Sequence, residues 1–104
     1  MKDKLLEIIN HYGVNHQQRK LNEEVFELQE AITIHELKKT VEYEIPLFEI
    51  IGTEEHIAEE ISDVFVILFQ LKEYYNIPTE VIDEIVKKKV DRQIERLKNE
   101  NIKQ

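Results

Sequence analysis

Two short acidic signatures contain the residues whose types and spacing could do chemistry. They are residues 23–27, with the sequence EEVFE, and residues 59–63, with the sequence EEISD. Each signature repeats a carboxylate three residues on, which places both acids on neighbouring surface of one helical turn. Carboxylate oxygens are the ligands that hard cations such as Mg²⁺ and Mn²⁺ prefer, and such ions keep open positions for phosphate oxygens.

Apolar spacing predicts that both signatures lie on long helices. At about 100° per residue, the apolar residues of each segment cluster on one side, with the acids beside them. The pair Glu24 and Glu27 has the same offset from its apolar seam as the pair Glu60 and Asp63. We therefore expect two helices with matching carboxylate pairs at the edge of a buried face. The two seams are Leu21, Val25, Leu28 and Ile32, and Ile57, Ile61, Val64, Leu68 and Leu71.

A single acidic pair would indicate only a solvated surface, because 22 of the 104 residues are acidic. Two pairs at matched offsets favour a shared metal site. A di-iron bundle is the competing interpretation, but its Glu-x-x-His signature does not occur in the sequence. Histidine ligation is therefore disfavoured, and four histidines are expected to lie on the surface or to pack: His11, His16, His35 and His56.

Length and composition limit the class of protein. The 104 residues, 41% of them hydrophobic, predict one helical domain over residues 1–104. The chain has no cysteine, so a metal would be held by oxygen or imidazole. Its net charge of −8 argues against binding to a nucleic-acid polymer. Neither a signal peptide nor a membrane span is predicted, so a cytoplasmic protein without a membrane partner is expected.

Local signals divide the first half of the chain into two helices. A short amphipathic helix is predicted over residues 3–12, ended by Gly13. Asn15, with Gln18 three residues later, resembles a capping box. It predicts a second helix that runs to about Lys39.

The second half is predicted to contain two more helices. Residues 40–53 are β-prone and broken by proline, which predicts an irregular connection. Thr53 is a good N-cap for a helix over residues 54–75. A last helix starts after Pro78 and frays near Asn99.

Residues 64–69, with the sequence VFVILF, would make their helix apolar around its whole circumference. One small chain has little means to bury such a helix. The sequence therefore predicts an all-α fold, a helical bundle completed by oligomerisation as a homodimer or homotetramer.

The last helix also carries a polar and basic cluster that continues the apolar stripe begun by Ile82 and Ile85. A solvated basic face is one interpretation. Recognition of phosphate is the other, because arginine forks and lysine charges could neutralise a triphosphate. The cluster is Lys89, Arg92, Gln93 and Arg96.

Three motifs follow one another along the chain: Gln17-x-x-Lys20-x-x-Glu23-Glu24-x-x-Glu27, Glu60-x-x-Asp63 and Lys89-x-x-Arg92-Gln93-x-x-Arg96. Their order resembles the MazG-like superfamily of all-α nucleoside triphosphate pyrophosphohydrolases, over roughly residues 11 to 97. The resemblance implies that the metal ligands are Glu24, Glu27, Glu60 and Asp63, with Glu23 as an auxiliary carboxylate. It also implies substrate contacts by Gln17, Lys20, Lys89, Arg92, Gln93 and Arg96.

The activity that the resemblance implies is Mg²⁺-dependent hydrolysis of a nucleoside triphosphate to the monophosphate and pyrophosphate, with Mn²⁺ as a substitute ion. House-cleaning or control of the nucleotide pool would be its role. No protein nucleophile is required, and the general base stays open among Glu23, Glu24 and Glu27. The gap between Glu27 and Glu60 is longer than in compact members, which leaves the preferred base and sugar open.

The alternative function is a non-catalytic acidic module for helical oligomerisation. It accounts for the apolar third helix and the acidic surface equally well. It does not account for the matched carboxylate offsets, nor for cations that continue an apolar stripe.

Overall fold

The computed structural model describes residues 1–41 and 51–103, and this part of the chain is helical with short turns and no strand. In order, the helices are α1 (Lys2–Tyr12), α2 (Val14–Lys38), α3 (Glu54–Tyr74) and α4 (Thr79–Lys103). The predicted all-α class is confirmed. The irregular connection predicted for residues 40–53 lies largely outside the described residues. None of the described helices combines the length and the apolar character needed to span a bilayer.

The boundary between α1 and α2 is a single glycine. Gly13 has a φ of +90°, and its N–H donates to the carbonyl of Ile9 at 2.7 Å. This conformation favours glycine and ends α1 as predicted. The capping box is wrong: α2 begins at Val14, Asn15 lies inside the helix, and α2 has no side-chain cap. Because the turn consists of Gly13 alone, α2 begins before Asn15, and no loop remains in which Asn15 could act as a cap.

The start of α3 follows the prediction. The Thr53 hydroxyl accepts the backbone N–H of His56 at 3.0 Å, which is the expected N-cap bond. The last helix, α4, continues to Lys103, beyond the fraying predicted near Asn99.

The chain divides into two compact units, Met1–Tyr74 and Tyr75–Gln104. In the first unit α2 packs along α3, and α1 packs against both of them. The second unit contains α4, on which every described side chain from Thr79 to Ile102 is exposed. The single domain expected over residues 1–104 stays a prediction.

The buried face of α2 differs from the predicted apolar seam. Its buried residues are Gln17, Glu24 and Ala31, spaced seven residues apart. This face is rotated by about 70° from the seam that the apolar residues predicted, at about 100° per residue. Ile32, expected inside, is 42% exposed. Glu24 therefore lies within the packed face of α2, not at its edge.

The apolar core is small. Within the described residues, four apolar side chains are buried: Leu5, Ile9, Ala31 and Ile67. On α3, Phe65 is 50% exposed and its ring lies 5.8 Å from that of Phe69, which is 41% exposed. The unit thus leaves a large aromatic and aliphatic surface in contact with water.

Candidate metal site

Three carboxylates meet where α2 faces α3. Glu24 on α2 and Glu60 and Asp63 on α3 each offer an oxygen, and these oxygens lie within 4.8 Å of one another. Glu24 is buried, Glu60 is half-buried and Asp63 is exposed. With Mg²⁺–oxygen distances of about 2.1 Å, ligand oxygens of one octahedral ion lie about 3 to 4 Å apart. A small inward movement of the side chains would suffice for these three residues to hold a divalent cation.

Glu24 and Glu60 each have one carboxylate oxygen with a partner and one without. Lys20 Nζ lies 3.2 Å from Glu24 Oε1, and His56 Nε2 lies 3.2 Å from Glu60 Oε1. The Oε2 atoms of both glutamates are buried and have no hydrogen-bond partner among the described residues. Burying an ionised oxygen without a partner is costly, and a bound cation would remove that cost. The donor set, all carboxylate oxygen, fits Mg²⁺ or Mn²⁺.

Glu27 is exposed and lies beside the cluster, one turn after Glu24. Repulsion from Glu24 raises the pKa of Glu27 above the ordinary glutamate value, and desolvation and repulsion from Glu60 raise it further. Attraction from Lys20 opposes this increase. Glu27 therefore shares the electrostatic field of the cluster, and its predicted role as a metal ligand stays a prediction.

The raised pKa of Glu27 predicts that this residue lowers the free energy of unfolding of the metal-free protein, and that it does so more at higher pH. A carboxyl group with a pKa higher in the folded than in the unfolded state stabilises the fold below the unfolded pKa and loses this contribution as the pH rises through the folded pKa. Glu27→Gln should therefore stabilise the protein more at pH 7 than at pH 5, by a small amount because water screens an exposed group. Urea unfolding in EDTA at both pH values measures the difference. An equal effect at both pH values would contradict the expectation.

The remaining predicted residues on α2 are held by contacts within the protein. Lys20 Nζ lies 3.7 Å from the exposed Glu23 as well as near Glu24, and its hydrogen bond to Glu24 raises the pKa of Lys20. Gln17 is buried, and its amide nitrogen donates to Gln70 Oε1 at 2.8 Å. Its amide oxygen accepts from His16 Nδ1 at 2.8 Å. Gln17 thus joins α2 to α3, and its contact with a nucleotide stays a prediction.

The polar and basic cluster predicted on the last helix lies on α4. Its members are exposed, and their spacing of three, four and seven residues puts them on one side of the helix. Their part in phosphate recognition stays a prediction. They are Lys89, Arg92, Gln93 and Arg96.

Sequence reasoning missed His56. It was expected to lie on the surface or to pack, yet its imidazole bonds to Glu60 and lines a cavity of about 350 Å³ next to the cluster. The Glu-x-x-His pattern does not include His56, which precedes its glutamate partner. A His-x-x-x-Glu spacing, which also puts two side chains on one helix face, would have found it. Glu30 lines the same cavity.

A comparison with models of known protein families, with curated proteins and with solved structures found no match. The resemblance to the MazG-like superfamily therefore stays a prediction. The arguments for a function come from the geometry of the carboxylates and their neighbours.

Proposed function

We propose that this protein is a Mg²⁺-dependent nucleoside triphosphate pyrophosphohydrolase. One observation carries the proposal: two helices bring Glu24, Glu60 and Asp63 together, and both glutamates keep a buried oxygen without a partner among the described residues. The resemblance of the motifs supplies the reaction class. Water attacks the triphosphate, and the monophosphate and pyrophosphate are the products.

The carboxylates have separate roles in this proposal. Glu24, Glu60 and Asp63 would hold the ion. Bound there, Mg²⁺ would neutralise charge on phosphate oxygens and lower the pKa of a coordinated water. Glu27 is exposed and lies one turn after Glu24 on α2, and we assign it the role of general base. Its carboxylate would take the proton of the attacking water.

The cations of α4 are proposed to bind the phosphate chain. A substrate with several negative charges needs compensation in a chain whose net charge is −8. Arg92→Ala and Arg96→Ala should raise KM for the triphosphate by about tenfold, since a lost charge-assisted hydrogen bond costs about 1.5 kcal/mol. Steady-state kinetics measure this, with Lys98→Ala on the same helix as the control. Unchanged KM and kcat in both arginine variants would show that the cluster is a solvated basic face and does not bind phosphate.

The proposal is tested by pyrophosphate release from a panel of deoxy- and ribonucleoside triphosphates, first with Mg²⁺ and then with excess chelator. Release that depends on Mg²⁺ is expected for at least one substrate. The same panel identifies the preferred base and sugar. No release from any substrate with either Mg²⁺ or Mn²⁺ would overturn the proposal.

The second candidate is the non-catalytic oligomerisation module, favoured by the exposed apolar side chains of α3 and α4. Ile85, Val90 and Ile94 on α4 are each about half exposed, at 46%, 52% and 47%. An enzyme and a module would share this surface. Metal-dependent turnover distinguishes them, because a module has none.

Under either function we expect a homodimer or homotetramer with the outer face of α3 in the interface. Light scattering at micromolar concentration should give a multiple of the 12.5 kDa chain mass. Phe65→Asp should shift the protein toward the monomer, because a charge in an apolar interface is costly. Ile102→Asp, at the end of α4, is the control and should leave the mass unchanged. A monomer mass for the unmodified protein would contradict this expectation.

A further inference from the structure

We infer that His56 is a positioning residue for the metal site. Its imidazole, held by the backbone of Gly52, binds Glu60 Oε1 and so presents Glu60 Oε2 to a cation. This inference rests on the proposed function, because the orientation of Glu60 matters only if Glu60 binds a metal ion.

The hydrogen bonds of His56 determine which of its nitrogens carries the proton. The backbone N–H of Gly52 donates to His56 Nδ1 at 3.1 Å, so Nδ1 is an acceptor and carries no proton. The ring proton is then on Nε2, which lies 3.2 Å from Glu60 Oε1. The imidazole therefore donates Nε2–H to the carboxylate.

Gly52 is itself fixed against the end of α2. His35 Nδ1 donates to the carbonyl of Gly52 at 2.7 Å. Gly52 has a φ of +79°, and a Cβ there would lie 2.7 Å from Ile34 Cγ2 and 2.9 Å from the backbone nitrogen of His35. A side chain at this position would push the backbone away. The partner of His56 Nδ1 is thus a rigid backbone group held by α2.

The result is a fixed orientation of Glu60. Its side chain is 13% exposed, its Oε1 is occupied by His56, and its Oε2 is buried without a partner among the described residues. A neutral N–H orients a carboxylate without cancelling its charge, so the full charge of Glu60 stays available to a cation.

Two substitutions test the roles of the two ring nitrogens of His56 separately, because each keeps a polar group near only one of them. Asparagine places its amide oxygen near Nδ1 and can still accept from Gly52, but it cannot reach Glu60. Glutamine places its amide nitrogen near Nε2 and keeps the donor to Glu60. His56→Asn should weaken Mn²⁺ binding by about tenfold, and His56→Gln by less than about threefold, because partners of metal ligands typically contribute ten- to a hundredfold to affinity.

Mn²⁺ binding is measured by isothermal titration calorimetry on the full chain, with His11→Asn as the control. His11 is exposed and should tolerate the change. Nitrogen-15 NMR of the histidine rings in the metal-free protein gives a second readout. It should show the proton of His56 on Nε2 and a proton on Nδ1 of His35.

The outcomes are distinct. If the unmodified protein binds no Mn²⁺, the proposed metal site is overturned. If it binds Mn²⁺ and His56→Asn binds equally well, or if both His56 variants lose affinity equally, the metal site stands and the positioning role is overturned. A proton on Nδ1 of His56 in the unmodified protein also overturns it, whether or not the variants fold.

Discussion

Glu60→Gln and Asp63→Asn are expected to lower kcat/KM for nucleoside triphosphate hydrolysis by at least about a hundredfold, in line with the loss of an electrostatic group at a reacting centre. Both residues contribute oxygens to the cluster with Glu24. An amide keeps the shape of the side chain but removes the charge that holds a divalent cation. Steady-state pyrophosphate release at saturating Mg²⁺ measures the loss.

The matched control for these variants is Glu59→Gln. Glu59 precedes Glu60 on α3 and is exposed, so its neutralisation should alter only surface charge. Glu27→Gln separates two roles: as the base, Glu27 is needed for kcat, yet Mn²⁺ binding should persist without it. Equal losses of activity in Glu59→Gln and Glu60→Gln would show that the ligand assignment is wrong.

A divalent cation should raise the melting temperature of the unmodified protein by about ten degrees at a free concentration about 100 times Kd, which corresponds to about 2.7 kcal/mol. In the metal-free protein Glu24, Glu60 and Asp63 hold like charges close together, and their repulsion opposes folding. Mg²⁺ or Mn²⁺ relieves this repulsion. Thermal melts with EDTA and with millimolar metal, at fixed ionic strength, measure the shift.

Asp63→Asn should change the melting temperature differently without and with metal. Without metal its melting temperature should equal or exceed that of the unmodified protein, because one repelling charge is gone. With metal it should gain little, because a ligand is missing. Glu59→Gln again provides the control and should gain as much as the unmodified protein. Equal metal-induced shifts in Asp63→Asn and the unmodified protein would favour the oligomerisation module over a shared site.

Much of the helical structure could be predicted from the sequence, because the rules involved act within one helical turn. Gly13 ends α1, Thr53 caps α3, and α4 starts at Thr79, after Pro78, as expected. The capping box at Asn15 failed because Gly13 alone makes the whole turn, so that α2 already begins at Val14 and Asn15 lies inside it.

Most of the candidate site could also be predicted from the sequence. Carboxylates three residues apart on two helices predicted a shared site of Glu24, Glu27, Glu60 and Asp63. Three of the four, Glu24, Glu60 and Asp63, lie together, and the part of Glu27 stays a prediction. The spacing is local, and two apolar helices of one small domain have few ways to pack other than face to face.

Only the tertiary structure decided which side of α2 is covered. A helical wheel assigns the most apolar side to the core, but the covered side depends on the neighbouring helices. Here Gln17 bonds to Gln70, 53 residues away, and the face containing Gln17 and Glu24 turns inward. Ile32 remains partly exposed.

Tertiary structure likewise decided the role of His56. Its spacing to Glu60 is local, but the orientation of its ring depends on Gly52, whose backbone is held by His35 at the end of α2. No periodicity within one helix can specify a contact between the backbone before α3 and a side chain of α2. The sequence determined which groups are available on each helix, and the packing of α2 against α3 decided which of their oxygens and nitrogens are bonded within the part of the chain that the structure describes.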